Sequence, residues 1–149
     1  MTKDRAETGA LSQPIPVLLV DDNAILAEAM ARVIGRDTRF RWVGWLETAD
    51  TIVDYVRHHC PGVILMDVDM PGVETFELVR TLATACPKAR VVMFSGHIRE
   101  EFADAAVDAG AFGYLHKDDE IEVLLDNLVR VNDGEVVLSP LVRRMLWRA

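Results

Sequence analysis

The 149-residue sequence predicts a single α/β domain, a five-stranded parallel sheet doubly wound with five helices. Two observations carry this. Apolar runs of strand length alternate five times with segments of helical periodicity, the pattern of parallel strands joined by right-handed crossovers. In addition, four of the five runs stop abruptly in polar side chains: Asp21-Asp22, Asp67, Ser95 and Lys117. In a parallel sheet all carboxyl ends share one edge, so these residues, far apart in sequence, are expected to meet.

The central run is Val63-Ile64-Leu65-Met66, followed by Asp67-Val68-Asp69-Met70 and a Pro71-Gly72 turn. Unbroken apolarity marks a strand covered on both faces, with Asp67 at its carboxyl end. The elements around it follow in order. Residues 1–13 are polar and mixed in charge, a disordered lead-in, and Pro14 and Pro16 punctuate the entry to the strand Val17-Leu18-Leu19-Val20. Asn23 is placed to cap a helix from about Ala24 to Gly35, whose apolar set (Ile25, Leu26, Ala29, Met30, Val33, Ile34) lies on one face. Arg41 to Leu46 reads as the second strand; strict alternation would send Trp42 and Trp45 to opposite faces. Thr48 or Asp50 opens a second helix to about His59, and His58 and His59 make a solvated end.

After the central strand, Glu74 to Ala85 is a third helix and Arg90 to Ser95 a fourth strand. Ile98 to Ala109 is an alanine-rich fourth helix, stopped by Gly110. Gly113 to Lys117 is a short fifth strand, with His116 expected to face outward. Glu120 to Val131 is the fifth helix; Gly134 breaks it, Val136-Val137-Leu138 is an extended link, and Ser139-Pro140 starts a last short helix, Leu141 to Trp147.

Composition narrows the function. A formal charge of −8 argues against a phosphate-binding nucleic-acid surface, which needs Lys and Arg. Cys60 and Cys86 share no metal-ligand spacing and read as free thiols. No apolar run is long enough to span a bilayer and no signal-peptide pattern opens the chain, so a soluble cytoplasmic protein is expected.

Three carboxylates converging at one edge repel unless a cation sits among them, and oxygen-only ligands favour Mg²⁺. Lys117 and the Ser95 hydroxyl suit an anion instead. A phosphoryl group on one carboxylate would engage the whole set. Taken singly the residues say less: Asp21-Asp22 could be a turn and helix cap, Ser95 a strand-end hydroxyl, Lys117 a solvated lysine, Tyr114 a core aromatic, and His97 a rim residue tuning water access.

The motifs Val20-Asp21-Asp22, Met66-Asp67-Val68-Asp69-Met70-Pro71-Gly72, Ser95-Gly96 and Gly110-Ala111-Phe112-Gly113-Tyr114-Leu115-His116-Lys117 together resemble a response-regulator receiver domain of bacterial two-component signalling. The stretch from Gly110 through Gly134-Glu135-Val136-Val137-Leu138-Ser139-Pro140 is similar to the NarL/FixJ-type subfamily. The resemblance implies a flavodoxin-like strand order 2-1-3-4-5 and a receiver over residues 14–133. Residues 134–149 would form a linker or short C-terminal helix, and the LuxR-type helix-turn-helix that follows in the subfamily is not present in this chain.

It implies that Asp67 accepts a phosphoryl group from a sensor histidine kinase. Asp21, Asp22, Asp67 and the backbone carbonyl of Asp69 would ligate Mg²⁺. Lys117 and Ser95 would hold the phosphoryl oxygens, and Ser95 and Tyr114 would form the switch. The protein would be a signalling phosphoacceptor and not an enzyme. It would dimerise on phosphorylation, touch no membrane, and reach DNA only through a domain outside this chain. Two other classes share parts of this pattern. A phosphorylation-independent interaction module of the same fold would not need the acceptor, lysine and hydroxyl. A haloacid-dehalogenase-type phosphatase fits Asp67-Val68-Asp69, but the acid pair lies upstream and no cap domain fits this length. Two departures stand out: Val73-Glu74-Thr75 lacks the family's usual glycine, and Asp69 adds a carboxylate near the site.

Overall fold

The computed structural model describes residues 13–70 and 74–146. Residues 1–12 of the expected lead-in, the Pro71-Gly72 turn, Val73 and Trp147 lie outside them. Strands β1 (Ile15–Val20), β2 (Phe40–Leu46), β3 (Val63–Met66), β4 (Arg90–Ser95), β5 (Gly113–His116) and β6 (Val137–Leu138) alternate with helices. These are α1 (Ala24–Gly35), α2 (Ile52–His59), α3 (Thr75–Ala85), α4 (Glu100–Ala109), α5 (Ile121–Asn132) and α6 (Pro140–Leu146). The sheet order is β2-β1-β3-β4-β5-β6, and all five pairings are parallel. The expected order is present with one addition: the segment read as an extended link pairs through Val137–Leu138 with Gly113–Tyr114 of β5.

Both faces of the sheet are covered, which is why β3 is apolar at every position and buried throughout. On one face Leu18, Ile64, Met93 and Tyr114 pack against Ile52 and Val56 of α2, Val79 and Leu82 of α3, Ala103 and Ala106 of α4, and Val142 of α6. On the other, Val17, Leu65, Phe94 and Leu115 meet Met30 and Ile34 of α1 and Leu124 and Leu128 of α5. The alanines of α4 let that helix approach closely, and the left-handed turn that ends it falls on Gly110 (φ 108°), the residue type that adopts it without strain. Asn23 caps α1 as expected, its side chain accepting from the Leu26 N–H at 3.1 Å.

Two expectations are corrected. Trp42 and Trp45 pack against the same face of the sheet, not opposite ones. The β1–β2 register passes from Val17↔Trp42 to Leu18↔Gly44, so Val43 is an extra residue, a bulge that resets the alternation. His116 is buried at 3% exposure, not outward-facing, because its ring folds back over the turn that follows β5. Cys60 and Cys86 are both free thiols. Among the described residues no helix is long and apolar enough to cross a membrane.

Candidate functional site

The site forms where β1, β3, β4 and β5 end. Each strand delivers its polar residue because the ladder ties the backbone one step past the apolar run. The Asp21 N–H donates to the Leu46 carbonyl (3.1 Å), the Asp67 N–H to the Val20 carbonyl (2.9 Å), and the Lys117 N–H to the Ser95 carbonyl (2.9 Å). Asp21 is fully buried and Asp67 is 6% exposed, whereas Asp22 is exposed. One carboxylate oxygen from each of the three lies within 4.8 Å of the others.

Lys117 is the cation of this cluster. Its Nζ stands 2.7 Å from Asp21 Oδ2 and 3.6 Å from Asp67 Oδ1. Asp21 Oδ1 accepts the Asn23 N–H at 2.9 Å, and the Asp21 carbonyl accepts the Trp45 indole N–H at 2.6 Å. Asp21 Oδ2 is buried without a hydrogen-bond donor of proper geometry, so the ammonium beside it acts as a charge rather than an aligned partner. Burial, and then the charge of Asp21, push the Asp67 carboxyl up from its ordinary value. The Asp69 N–H, 3.3 Å from Asp67 Oδ1, and the Lys117 ammonium oppose that rise without cancelling it. The cluster is therefore short of positive charge. Three carboxylates this close, served by a single ammonium, fit a hard divalent cation such as Mg²⁺. The Asp69 side chain is exposed and stands outside the set of three.

The hydroxyl arm is arranged differently. Ser95 is fully buried, and its Oγ donates to the His97 carbonyl at 2.9 Å while accepting the His97 N–H at 3.0 Å. Tyr114 is 1% exposed, and its hydroxyl donates to that same His97 carbonyl at 3.3 Å. Burial raises the Tyr114 phenol above its ordinary value, so it is a neutral donor. His97 thus takes part through its backbone, and its ring is exposed. The fold brings Asp21, Asp22, Asp67 and Lys117 into one cluster and joins Ser95 to Tyr114 through one carbonyl.

Sequence reasoning missed several supporting residues. Trp45 reaches the acid pair only because of the Val43 bulge. Thr75 is buried and donates its hydroxyl to the Val68 carbonyl at 3.0 Å, tying the start of α3 to the chain just after Asp67. His116 and Asp119 close the turn around Lys117. A threonine at a helix start and an Asp-Asp pair after the lysine were the available signals.

A doubly wound sheet whose carboxyl edge gathers clustered acids, a lysine and a hydroxyl is the architecture of a receiver-type signalling domain. Comparison with known proteins agrees. Residues 17–129 match the model of the response regulator receiver domain. The chain is 33% identical over 127 residues to the nitrate/nitrite response regulator protein NarL of Escherichia coli K12, covering 85% of this chain and 59% of that protein. It is 30% identical over 132 residues to the transcriptional regulatory protein DegU of Brevibacillus brevis, covering 89% and 56%. A two-component response regulator of the LuxR family from Aurantimonas sp. SI85-9A1 superposes with a TM-score of 0.82 at 27% identity, covering 89% of this chain and 95% of that one. The chain belongs to the response regulator receiver family, among relatives of the NarL/LuxR type. It spans well under two thirds of the length of the curated relatives named here.

Proposed function

We propose that this chain, working in the cytoplasm, receives a phosphoryl group on Asp67 from a sensor histidine kinase, in a Mg²⁺-dependent reaction, and transmits the event through Ser95 and Tyr114. The observation that carries this is the placing of a nearly buried, charge-stressed carboxylate between two further acids and one ammonium. A lysine 2.7 Å from one acid and 3.6 Å from the next serves two roles. It offsets repulsion at rest, and it is within reach of an oxygen added to Asp67.

In the proposed reaction an Asp67 carboxylate oxygen attacks phosphorus in line with the phosphorus–nitrogen bond of a phosphohistidine, which breaks as the aspartyl phosphate forms. Asp21, Asp22, Asp67 and the Asp69 carbonyl would hold Mg²⁺, which when bound neutralises charge on the transferring oxygens. Lys117 swings from Asp21 to the phosphoryl group, a charge-assisted contact. The Ser95 hydroxyl turns from the His97 carbonyl to a phosphoryl oxygen, leaving Tyr114 as the donor on that carbonyl. The change at Tyr114 is felt by Val142 and Leu146 of α6, which pack in the same cluster. Output then runs through the C-terminal segment to a LuxR-type helix-turn-helix or to a partner protein, with dimerisation on phosphorylation. In this reading residues 14–133 are the receiver, and 134–149 are the linker segment that carries β6 and α6. The chain is a phosphoacceptor, active only toward its own phosphoryl group.

Intact mass after incubation with acetyl phosphate and Mg²⁺ tests this, with size exclusion on the same samples. One added phosphoryl group, dependent on Mg²⁺ and absent in Asp67→Ala, is expected, with an earlier elution volume. No adduct in the wild-type chain, with none trapped by beryllium fluoride, would sink the reading in favour of a phosphorylation-independent module.

A further inference from the structure

We propose that His116 is a positioning residue for Lys117, acting through an imidazole-to-backbone hydrogen bond across the turn 116–119. This rests on the receiver reading for its functional meaning, but its geometry stands by itself. Lys117 carries its charge on a flexible four-carbon stem, so the ammonium is only as well aimed as the backbone beneath it. That backbone is fastened on both sides. Upstream, the Lys117 N–H donates to the Ser95 carbonyl of β4 at 2.9 Å. Downstream, the chain must reverse within four residues to begin α5 at Ile121.

The reversal is closed by three hydrogen bonds that bracket Lys117. The His116 N–H donates to Asp119 Oδ2 at 3.0 Å, the Asp119 N–H donates to the His116 carbonyl at 3.1 Å, and the Asp118 N–H donates to His116 Nδ1 at 2.9 Å. Because Nδ1 accepts, the ring proton belongs on Nε2, an assignment made from the hydrogen bond. His116 and Asp119 are 3% and 8% exposed, so water cannot readily replace either acceptor. A buried imidazole here is committed to its own chain, and the one residue enclosed with its side chain directed into the acid cluster is Lys117. None of the metal-ligand candidates lies on this turn.

The test uses the whole chain and two pairs of variants. His116→Leu keeps bulk and removes the acceptor, while His116→Asn keeps an acceptor near the Nδ1 position. Asp119→Ala and Asp119→Asn do the same for the second contact, and guard against one variant failing to fold. Acetyl phosphate loading is followed by intact mass, Mg²⁺ affinity by tryptophan fluorescence, and backbone amide exchange over residues 117–119 by NMR. Removing the acceptor is expected to slow loading and speed exchange about tenfold, the equilibrium equivalent of one hydrogen bond. Mg²⁺ affinity should not weaken, since none of its candidate ligands lies on this turn, and the Asn variants should restore most of both rates. Loading by His116→Leu at the wild-type rate overturns the proposal, as does a His116→Asn as slow as His116→Leu, which would assign the effect to packing. If the wild-type chain gains no mass, the receiver reading fails, and the exchange rates still decide the clamp: unaltered exchange in His116→Leu overturns it.

Discussion

Replacing Lys117 by methionine removes the ammonium and keeps the apolar stem, leaving Asp21 and Asp67 facing each other. At an effective dielectric of about 20, the 2.7 Å contact with Asp21 corresponds to roughly 6 kcal/mol of attraction and the 3.6 Å contact with Asp67 to roughly 5 kcal/mol. Most of this is offset by desolvation. Breaking a buried pair costs about 3–5 kcal/mol in practice. Here the lysine side chain is 23% exposed, so the expected loss is somewhat less, about 2–3 kcal/mol. For a chain of this size that lowers the midpoint of thermal unfolding by roughly 5–10 °C. The diagnostic feature is its dependence on Mg²⁺. A divalent cation among the same carboxylates supplies the missing charge, and at ten times its dissociation constant it adds about 1.4 kcal/mol to any form that binds it. Methionine at 117 should strengthen that binding, so the gap between variant and wild type should narrow as Mg²⁺ is added and stay wide in NaCl of matched ionic strength. Urea titrations with and without Mg²⁺ measure both quantities. A variant as stable as wild type without Mg²⁺, or a gap that Mg²⁺ leaves unaltered, would refute the electrostatic account of the cluster.

Three further outcomes are expected. A Cβ at Gly113 would lie 2.8 Å from the Val137 backbone carbonyl, so Gly113→Ala should pry β6 from β5, at a cost of roughly 1–3 kcal/mol, and raise amide exchange in α6; unaltered exchange there would show the pairing unimportant. Trp45→Phe removes the indole donor to the Asp21 carbonyl and should cost about 1 kcal/mol in urea unfolding, with loosened Mg²⁺ binding. Asp37, whose carboxyl is held below its ordinary 3.8 chiefly by side-chain hydrogen bonds from Arg39, stabilises the fold above that value and ceases to do so as pH falls through its lower folded value. Asp37→Asn should therefore cost up to about 1 kcal/mol at neutral pH, a figure limited by the exposure of Arg39, and nothing once the acid is protonated in both states. A cost that persists at the acid end would implicate backbone contacts instead.

The element order and the acid edge were legible because both depend on local signals. Apolar runs of strand length ending at Asp21, Asp67, Ser95 and Lys117 specify a buried parallel sheet, and parallelism alone brings those residues together. What escaped depended on register and on tertiary pairing. The bulge at Val43 leaves no local mark beyond a glycine at 44, yet it moves Trp45 onto the face from which its indole reaches Asp21. Strand β6 is only two residues long, and its existence depends on β5 offering an open edge. His116 resembled a surface residue because an imidazole is polar. Its burial follows from acceptors and donors that exist only once the turn to α5 is made. The roles proposed for Asp67, Lys117 and Ser95 come from family resemblance, and the geometry adds how the charges of Asp67 and Lys117 balance.

The same bulge and the same short strand bear on how this domain behaves in a crowded cell. A parallel sheet has two open margins, and a long flat margin is a template on which another chain can assemble into fibres. Here one margin is β6, too short to offer more than a fragment of ladder, with α6 following directly. The other is β2, which carries an exposed Arg41 and is broken at Val43, so its repeat of donors and acceptors is out of phase with any regular partner. A residue that brings an indole to the acid pair thus also spoils the β2 margin as a seed for aggregation, and a variant that deleted Val43 to regularise the strand would be expected to lose solubility along with the Trp45 contact.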